Sequence, residues 1–404
     1  MFTVQKTYSL VTGILPNRTA NQVLDHIISG DGAHALQWHG RGTLVYDGWR
    51  RAWMPALSPA KSVFQMVVPD DIVSGLVDEV IEVGKLHQQA TGAIFSSHCE
   101  NAYFGSDFHV WPSDSSNPNK AKSQNGNLSV IYCIVSRQLT EKIGRAAIDA
   151  GAHGPIVYYA EGRGLRDRLG WLRITKEREK EVLMVVCDDA DAEGVFEAMD
   201  QAGELHLPGR GFMYRLNVQT GMFNLPSRMS THHYKASMQQ IIDTIDHLAG
   251  HTHWRDQSAF DVGAGRGTGK QLLKVSRPIL TDQVAISTMV RRSQMTLLMD
   301  LLLDAGAPGL NLNYGRFVAK QSDNTVAGAR VNDEYGLLRC VTNQPTAEKI
   351  CSVLEQMTEH YRLTDLCVLI NQVPTVATYV PGEKDYRSQK STPPSAGTPV
   401  PSSA

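Results

Sequence analysis

The chain has 404 residues, 42% of them hydrophobic and 20% charged, with a formal net charge of −2. That length suits roughly two to four domains of about 100–200 residues each, and the charge balance excludes a general electrostatic binder of nucleic acid. No apolar run approaches the about 18 residues that cross a bilayer, the N-terminal MFTVQKTYSLVTGIL lacks a signal peptide's basic lead and apolar core, and the six cysteines form no CxxC pair, so a cytoplasmic, reducing setting is expected.

In chain order, the first amphipathic helix carries Val23, Leu24, Ile27 and Ile28 on one face and ends at Gly32-Ala33-His34. A strand (Ala35–Trp38), the pair Gly40-Arg41, a polar loop and a second strand (Ser62–Val68) follow. Asp70 and Asp71 then open a helix striped by Ile72, Leu76, Val77, Val80 and Ile81, where the helix dipole favours acids. A strand at Ala93–Ser97 closes this unit, and the polar segment Ser113–Asn127 links it onward.

The plan then recurs. A strand at Leu128–Val135 leads into a helix with Ile143, Ala146, Ala147 and Ala150 on one face, ending at Gly151-Ala152-His153. The strand Ile156–Tyr159, the pair Gly162-Arg163, the strand Val182–Cys187, a helix opened by Asp188 and Asp189 with Val195, Ala198, Met199 and Ala202, and the strand Phe212–Val218 complete it. An insertion, Met229–Val275, carries an expected helix around Ala236–Ala249 and a glycine-rich stretch. The third pass has a helix with Leu297, Leu298, Leu301 and Leu302, the anchor Gly306-Ala307-Pro308, the strand Leu310–Asn313 and the pair Gly315-Arg316. The strand Tyr335–Val341, a helix opened near Thr346 with Ile350, Val353, Leu354 and Met357, and the strand Cys367–Val373 follow. The tail after Pro381 is rich in Pro, Ser and Thr and is expected to be disordered.

From each anchor glycine to the polar residue ending the next-but-one strand, the spacing is 38, 37 and 37 residues (Gly32 to Asp70, Gly151 to Asp188, Gly306 to Asn343). A spacing kept that closely marks an internal repeat. The expected fold is therefore α+β: three ferredoxin-like βαββαβ repeats. The expected boundaries are 1–112, a linker at 113–127, 128–228, an insertion at 229–275, 276–380 and a tail at 381–404.

The second unit's GAHGPIVYYAEGRGLRDR and VLMVVCDDADAEGVFEAMDQAGELHLPGRGFMY, supported by VFQMVVPDDIVSGLVDEVIEVGKLHQQATGAIF in the first, resemble the PII nitrogen-regulatory signalling proteins. That family has one ferredoxin-like domain per chain and works as a homotrimer. The resemblance therefore implies an intramolecular PII-like pseudo-trimer that binds a small anionic ligand, an adenine nucleotide, in clefts between domains. The positions it implies for the nucleotide are Gly40, Arg41 and Gly42; Gly162, Arg163, Gly164 and Arg166; Gly209, Arg210 and Gly211; and Gly315 and Arg316. The chemistry suits phosphate, because glycine lets backbone N–H groups approach and arginine offers two planar donors. The family's phosphate-holding lysine is missing: Ala93 and Phe212 stand in its place, and the third unit has Leu363-Thr364-Asp365 with no glycine. Three equivalent nucleotide sites are not expected. The resemblance also implies a protein partner, a membrane transporter for ammonium or inorganic carbon, reached through the loops after the second strands. Trp49, Arg50 and Trp53 are the candidate anchors there, unless the tryptophans fold back onto their own domain.

Two other features bear on function. Asp261-Val262-Gly263-Ala264-Gly265-Arg266-Gly267 resembles the first motif of S-adenosylmethionine-dependent methyltransferases, but no apolar strand precedes it. As a P-loop it fails, with Ala264 at the first glycine and Gln271 at the Ser/Thr position. His247 and His251 stand i, i+4 and would face one metal if a helix reached that far, although Gly250 is placed to end it. No metal is expected, and with no GxSxG, HExxH or spaced nucleophile pair the chain reads as a regulatory protein rather than an enzyme. An enzyme built on the insertion and a ligand-free adaptor are the alternatives.

Overall fold

The computed structural model describes residues 3–5, 8–28, 33–46, 54–88, 91–112, 127–164, 179–226, 228–229, 248, 279–319 and 333–380. The fold is α+β, and three stretches of it run strand–helix–strand–strand–helix–strand. After a short β1 (Thr3–Gln5), the first comprises β2 (Tyr8–Leu15), α1 (Asn17–Ile27), β3 (His34–Gly42), a short β4 (Val45–Tyr46), β5 (Ala60–Pro69), α2 (Asp70–Gly84) and β6 (Gly92–Cys99), with β7 (Asn101–Phe104) appended. The second comprises β8 (Leu128–Val135), α3 (Arg137–Asp149), β9 (His153–Gly164), β10 (Glu179–Asp188), α4 (Asp189–Gly203) and β11 (Gly211–Val218), with β12 (Thr220–Asn224) appended and β13 (Arg228–Met229) beyond. The third follows β14 (Ile279–Leu280) and comprises β15 (Gln283–Arg291), α5 (Met295–Ala305), β16 (Gly309–Ala319), β17 (Asp333–Asn343), α6 (Gln344–Tyr361) and β18 (Leu366–Val373), with β19 (Thr375–Thr378) appended.

Within each stretch the first strand lies between the fourth and the third, and the second strand pairs outside the third, all antiparallel: β6-β2-β5-β3, β11-β8-β10-β9 and β18-β15-β17-β16. This is consistent with ferredoxin-like units. Their first strands, YSLVTGIL and LSVIYCIV, are buried at every position. One face meets the unit's own helices and the other a shared interior, so the sequence is apolar throughout instead of alternating. Val11, Leu24, Phe64 and Val77 belong to the helix-side core of the first unit, Ile131, Ile143, Leu183 and Val195 to that of the second, and Ile286, Leu298, Leu312 and Ile350 to that of the third. Leu36, Val63, Tyr158, Val182, Leu337 and Leu369, drawn from all three, meet in the interior.

The second strands are longer than the sequence predicts, because their ends pair with one another. Arg41–Gly42 of β3 lie against β9, Glu161–Gly164 of β9 against β16, and Arg316–Ala319 of β16 against β3. The appended strands, which hydrophobic patterning within one unit does not reveal, close a second circuit: β7 pairs with β18, β19 with β11 and β12 with β6.

Helix ends follow local chemistry. Gly151 and Gly306 take φ of +111° and +108° at the ends of α3 and α5, the left-handed turn that glycine adopts without a Cβ penalty; Gly32 lies outside the described residues. At α6 the cap is Asn343, whose Oδ1 accepts the Thr346 N–H at 3.0 Å, so Thr346 donates where the sequence predicts a cap. Asp70 and Asp189 accept the hydroxyls of Ser9 and Ser129, each at 2.6 Å, which ties helix to first strand. Among the described residues no helix is long and apolar enough to cross a membrane.

Candidate functional site

Strand register makes the three seams between units directly comparable. Leu15 faces Ser62, which faces His39. Val135 faces Glu181, which faces Tyr159. Val290 faces Gly336, which faces Tyr314. Two residues beyond each second-strand member come Arg41, Glu161 and Arg316, and each meets the next unit at the matching place: Arg41 opposite Val157, Glu161 opposite Leu312, Arg316 opposite Gln37. Matching strand register therefore carries three different side-chain sets.

At the seam of the first and second units, Arg41 donates from Nη1 and Nη2 to Glu181 Oε1 and from Nη2 to Oε2, each at 3.1 Å. The Glu181 side chain is only 8% exposed, and Arg137 adds a longer contact at 3.9 Å. The arginine is thus engaged by an enclosed carboxylate, and a further anion would be repelled.

At the seam of the second and third units the outgoing residue is itself acidic, Glu161, and Gly336 stands where Glu181 does next door. The Arg163 Nε is buried there without a partner. Burial first, and then Glu161, raises the phenol pKa of both Tyr159 and Tyr314.

The third seam, between the third and first units, is open. A cleft of about 500 Å³ is lined by Asn17, Asn21, Gln37, His39 and Ser62 on one side and by Arg292, Tyr314, Gly315, Arg316 and Glu334 on the other. The Arg316 Nη2 donates to Gln37 Oε1 at 2.8 Å. The Gln37 amide donates in turn to Ser62 Oγ at 2.7 Å and Asn21 Oδ1 at 3.2 Å. All of these acceptors are neutral; among the described residues Arg316 makes no ion pair, and its direct cross-strand partner Glu334 is engaged by Arg292. Arg292 is partly cancelled, by Glu334 at 2.5 Å, and lies 4.6 Å over the Tyr314 ring. Helix α1 starts at the same wall: Pro16 is its N-cap, no side chain caps it, and Asn17 Oδ1 is buried without a partner. A helix start without a side-chain cap, beside an arginine that donates to a neutral amide, is chemistry that accepts an anion.

The structure brings together only part of what the sequence predicts for a site. Gly315 and Arg316 line the cleft. A Cβ on Gly315 would come within 2.8 Å of Leu36 and 3.0 Å of the Gln37 carbonyl, so glycine lets the two second strands close. Gly40, Arg41 and Gly42 lie at the first seam, and Gly162, Arg163 and Gly164 at the second. Treating the three Gly-Arg pairs as counterparts needs correction: by register Gly162-Arg163 sits two residues beyond Gly40-Arg41 and Gly315-Arg316, and Glu161 takes the place of the arginine. Gly209, Arg210 and Gly211 are accounted for within their own unit. Arg210 donates to Glu204 at 3.1 Å, and Gly211, at φ +126°, would put a Cβ 2.1 Å from the Ile134 carbonyl. Gly92 stands in the same relation to Ile14, at 2.2 Å. Arg166, Trp49, Arg50, Trp53, the histidines of the insertion and FDVGAGRGTGK lie outside the described residues.

Sequence reasoning missed Asn17, Asn21, Gln37, Arg292 and Glu334. One signal was available: Arg291-Arg292 precedes a helix, where the dipole disfavours cations, so a second reason for placing them was to be sought. Among the described residues, no group of three or more His, Cys, Asp or Glu side chains could hold a metal ion. All six cysteines are free; burial pushes the thiols of Cys99, Cys187 and Cys340 up to about 12 and that of Cys351 to about 11.

No family model matches the sequence, and no curated protein matches it. Among solved structures the chain is similar to an aspartate kinase from Synechocystis, at 10% identity and a TM-score of 0.19, over 92% of this chain and 44% of that one. It is also similar to a microcompartment protein from Desulfitobacterium hafniense DCB, at 10% identity and a TM-score of 0.15, over 61% of this chain and 95% of that one. A protein of unknown function from Galdieria sulphuraria gives 8% identity and a TM-score of 0.16, over 61% of this chain and 98% of that one. Likenesses at these scores show neither fold nor function.

Proposed function

We propose that this chain is a PII-like regulatory protein whose three units make a single-chain pseudo-trimer, and that it senses a small anionic ligand in the cleft between its third and first units. The observation that carries the reading is Arg316, held by the neutral Gln37 beside the uncapped start of α1, at the position where Arg41 of the first seam is engaged by Glu181. The cyclic pairing of second strands and of appended strands supports the pseudo-trimer. An adenine nucleotide is the first candidate, its phosphates at Arg316, Arg292 and the α1 amides, and its base against Tyr314 or Trp38.

Strand β16 ends at Ala319, three residues after Arg316, and the chain continues directly into residues 320–332. A ligand that favours one arrangement of that exit would report to a partner through the loop, the population-shift form of signalling. By the family resemblance the partner is a cytoplasmic face of a membrane transporter for ammonium or inorganic carbon, and Trp49, Arg50 and Trp53 supply a second docking element. Fusion has a physical use here, because identical subunits would repeat one seam three times, whereas one chain can vary each.

Calorimetric titration of the full chain with ATP, ADP and AMP tests the proposal. One site per chain is expected for at least one of them, weakened about tenfold or more in Arg316→Ala. Absence of heat and of any thermal shift with all three removes the nucleotide reading.

A further inference from the structure

On the opposite face of the sheet from the cleft, toward the shared interior, Arg339 of β17 is 3% exposed. Its Nη1 donates to Tyr158 Oη at 3.1 Å and its Nη2 to Gln65 Oε1 at 2.8 Å, and the guanidinium carbon lies 5.0 Å from the centre of the Tyr132 ring. These partners come from the first and second units, so with Arg339 itself all three units meet here, and every partner is neutral: burial raises the pKa of both the Tyr158 and Tyr132 phenols. Among the described residues no carboxylate pairs with Arg339; the groups that act on its charge are tyrosines. A guanidinium does not shed its proton in a protein, so this is a full positive charge in the interior with no counter-charge among the described residues.

Register places two more side chains beside it. Asn311 of β16 and Ser287 of β15 are the direct cross-strand partners of Arg339, and such partners project to one face. Asn311 is 1% exposed, and neither its Nδ2 nor its Oδ1 has a hydrogen-bond partner; Ser287 is 4% exposed. The positions matching Arg339 hold Gln65 in the first unit and Met184 in the second, facing Thr12 and Tyr132 as Arg339 faces Ser287. The charge is therefore a feature of one unit only. An uncompensated buried cation and a buried carboxamide with both ends empty are separate costs, and one bound anion relieves both. With such an anion bound, Asn311 would donate from Nδ2, and Ser287, the remaining guanidinium N–H groups and the Tyr158 hydroxyl would be further donors.

We propose that Arg339, Asn311 and Ser287 form an interior site for a small monovalent anion of halide size, separate from the seam cleft. The burial of all three side chains favours a small ion, and the single cation sets the charge. Bromide is the probe. Crystals of the full chain containing bromide, measured at the bromine absorption edge, should show an anomalous peak within hydrogen-bond reach of Asn311 Nδ2 and Arg339. In solution, bromide at about 100 times its Kd should raise Tm by roughly 3 °C over sulfate at equal ionic strength. Asn311→Leu and Arg339→Gln (the residue at the matching place in the first unit) should each lose the peak and the bromide-specific shift. Arg316→Ala, which alters only the seam, should keep both, so this site and the cleft fail independently. Water density without anomalous signal at Asn311 in the wild type overturns the assignment. So does a bromide shift that survives in Asn311→Leu, whether or not Arg339→Gln folds.

Discussion

The first and third seams share a backbone and differ in one decisive side chain. Both place an arginine two residues past the same register point, Arg41 opposite Val157 and Arg316 opposite Gln37. Across the first, the third strand of the receiving unit offers Glu181; across the third, the matching position is Ser62. With the carboxylate the arginine becomes a structural rivet, and with the hydroxyl it becomes a charge held loosely by an amide. The lesson is that a glycine–arginine pair is not a binding signal by itself. What decides is whether the neighbouring unit already supplies the anion.

The sharpest separation of the two roles comes from truncating each arginine. Arg41→Ala leaves the enclosed Glu181 without its bidentate donor, a loss of about 1–3 kcal/mol for a buried acceptor stripped of its partner. Arg316→Ala removes a contact to a neutral amide and should change stability by about 0.5 kcal/mol or less, while taking away the cleft's affinity for anions. Urea unfolding of both variants, alongside titration with ATP or phosphate, checks this. Equal destabilisation by the two would erase the distinction between rivet and site.

Exchanging the deciding residue should exchange the behaviour. Glu181→Ser frees Arg41 and should create a second anion site at the first seam. Ser62→Glu should engage Arg316 and weaken binding at the third seam about tenfold, or about 1.4 kcal/mol. Calorimetric stoichiometry reads both changes directly. If Glu181→Ser binds no additional ligand, then shape rather than charge controls the seams. Ser62 is wholly buried, so the folded state of Ser62→Glu is to be confirmed by circular dichroism before its titration is interpreted.

Much of this frame is legible in the sequence because it is local. The helix stripes, the glycines at +111° and +108° and the acidic starts of α2 and α4 each follow from periodicity, backbone sterics or the helix dipole. The seams are not legible in that way. Arg316 and Gln37 are 279 residues apart, and no periodicity within one unit says which side chain from another will face it. The appended strands β7, β12 and β19 were missed for the same reason: they are four or five residues long, and they gain order from partners in another unit. Arg291-Arg292 was the one visible clue, a pair of cations where a helix start discourages them.

The comparison of seams also requires that the cores behind them hold still when conditions change, and the buried thiols test that. Burial raises Cys99, Cys187 and Cys340 from 9.0 to about 12 and Cys351 to about 11. In the unfolded chain these thiols lose their protons near pH 9, whereas in the folded chain they keep them, so above that point the unfolded state binds fewer protons. The thiols' contribution to stability should therefore be flat below about pH 8 and fall as pH rises from 9 toward 11 or 12. Each thiol contributes a small loss near pH 9 and roughly a tenfold loss in the folding equilibrium for each further pH unit until its folded pKa is reached. Urea midpoints measured between pH 7 and 10.5, with Cys340→Ala removing one increment, check the slope. Because these thiols contribute nothing below about pH 8, a ligand titration at pH 7 to 8 reads the seams apart from them; midpoints that stay flat from pH 9 to 10.5 would mean that the folded thiols titrate near their ordinary value and that the cores admit water.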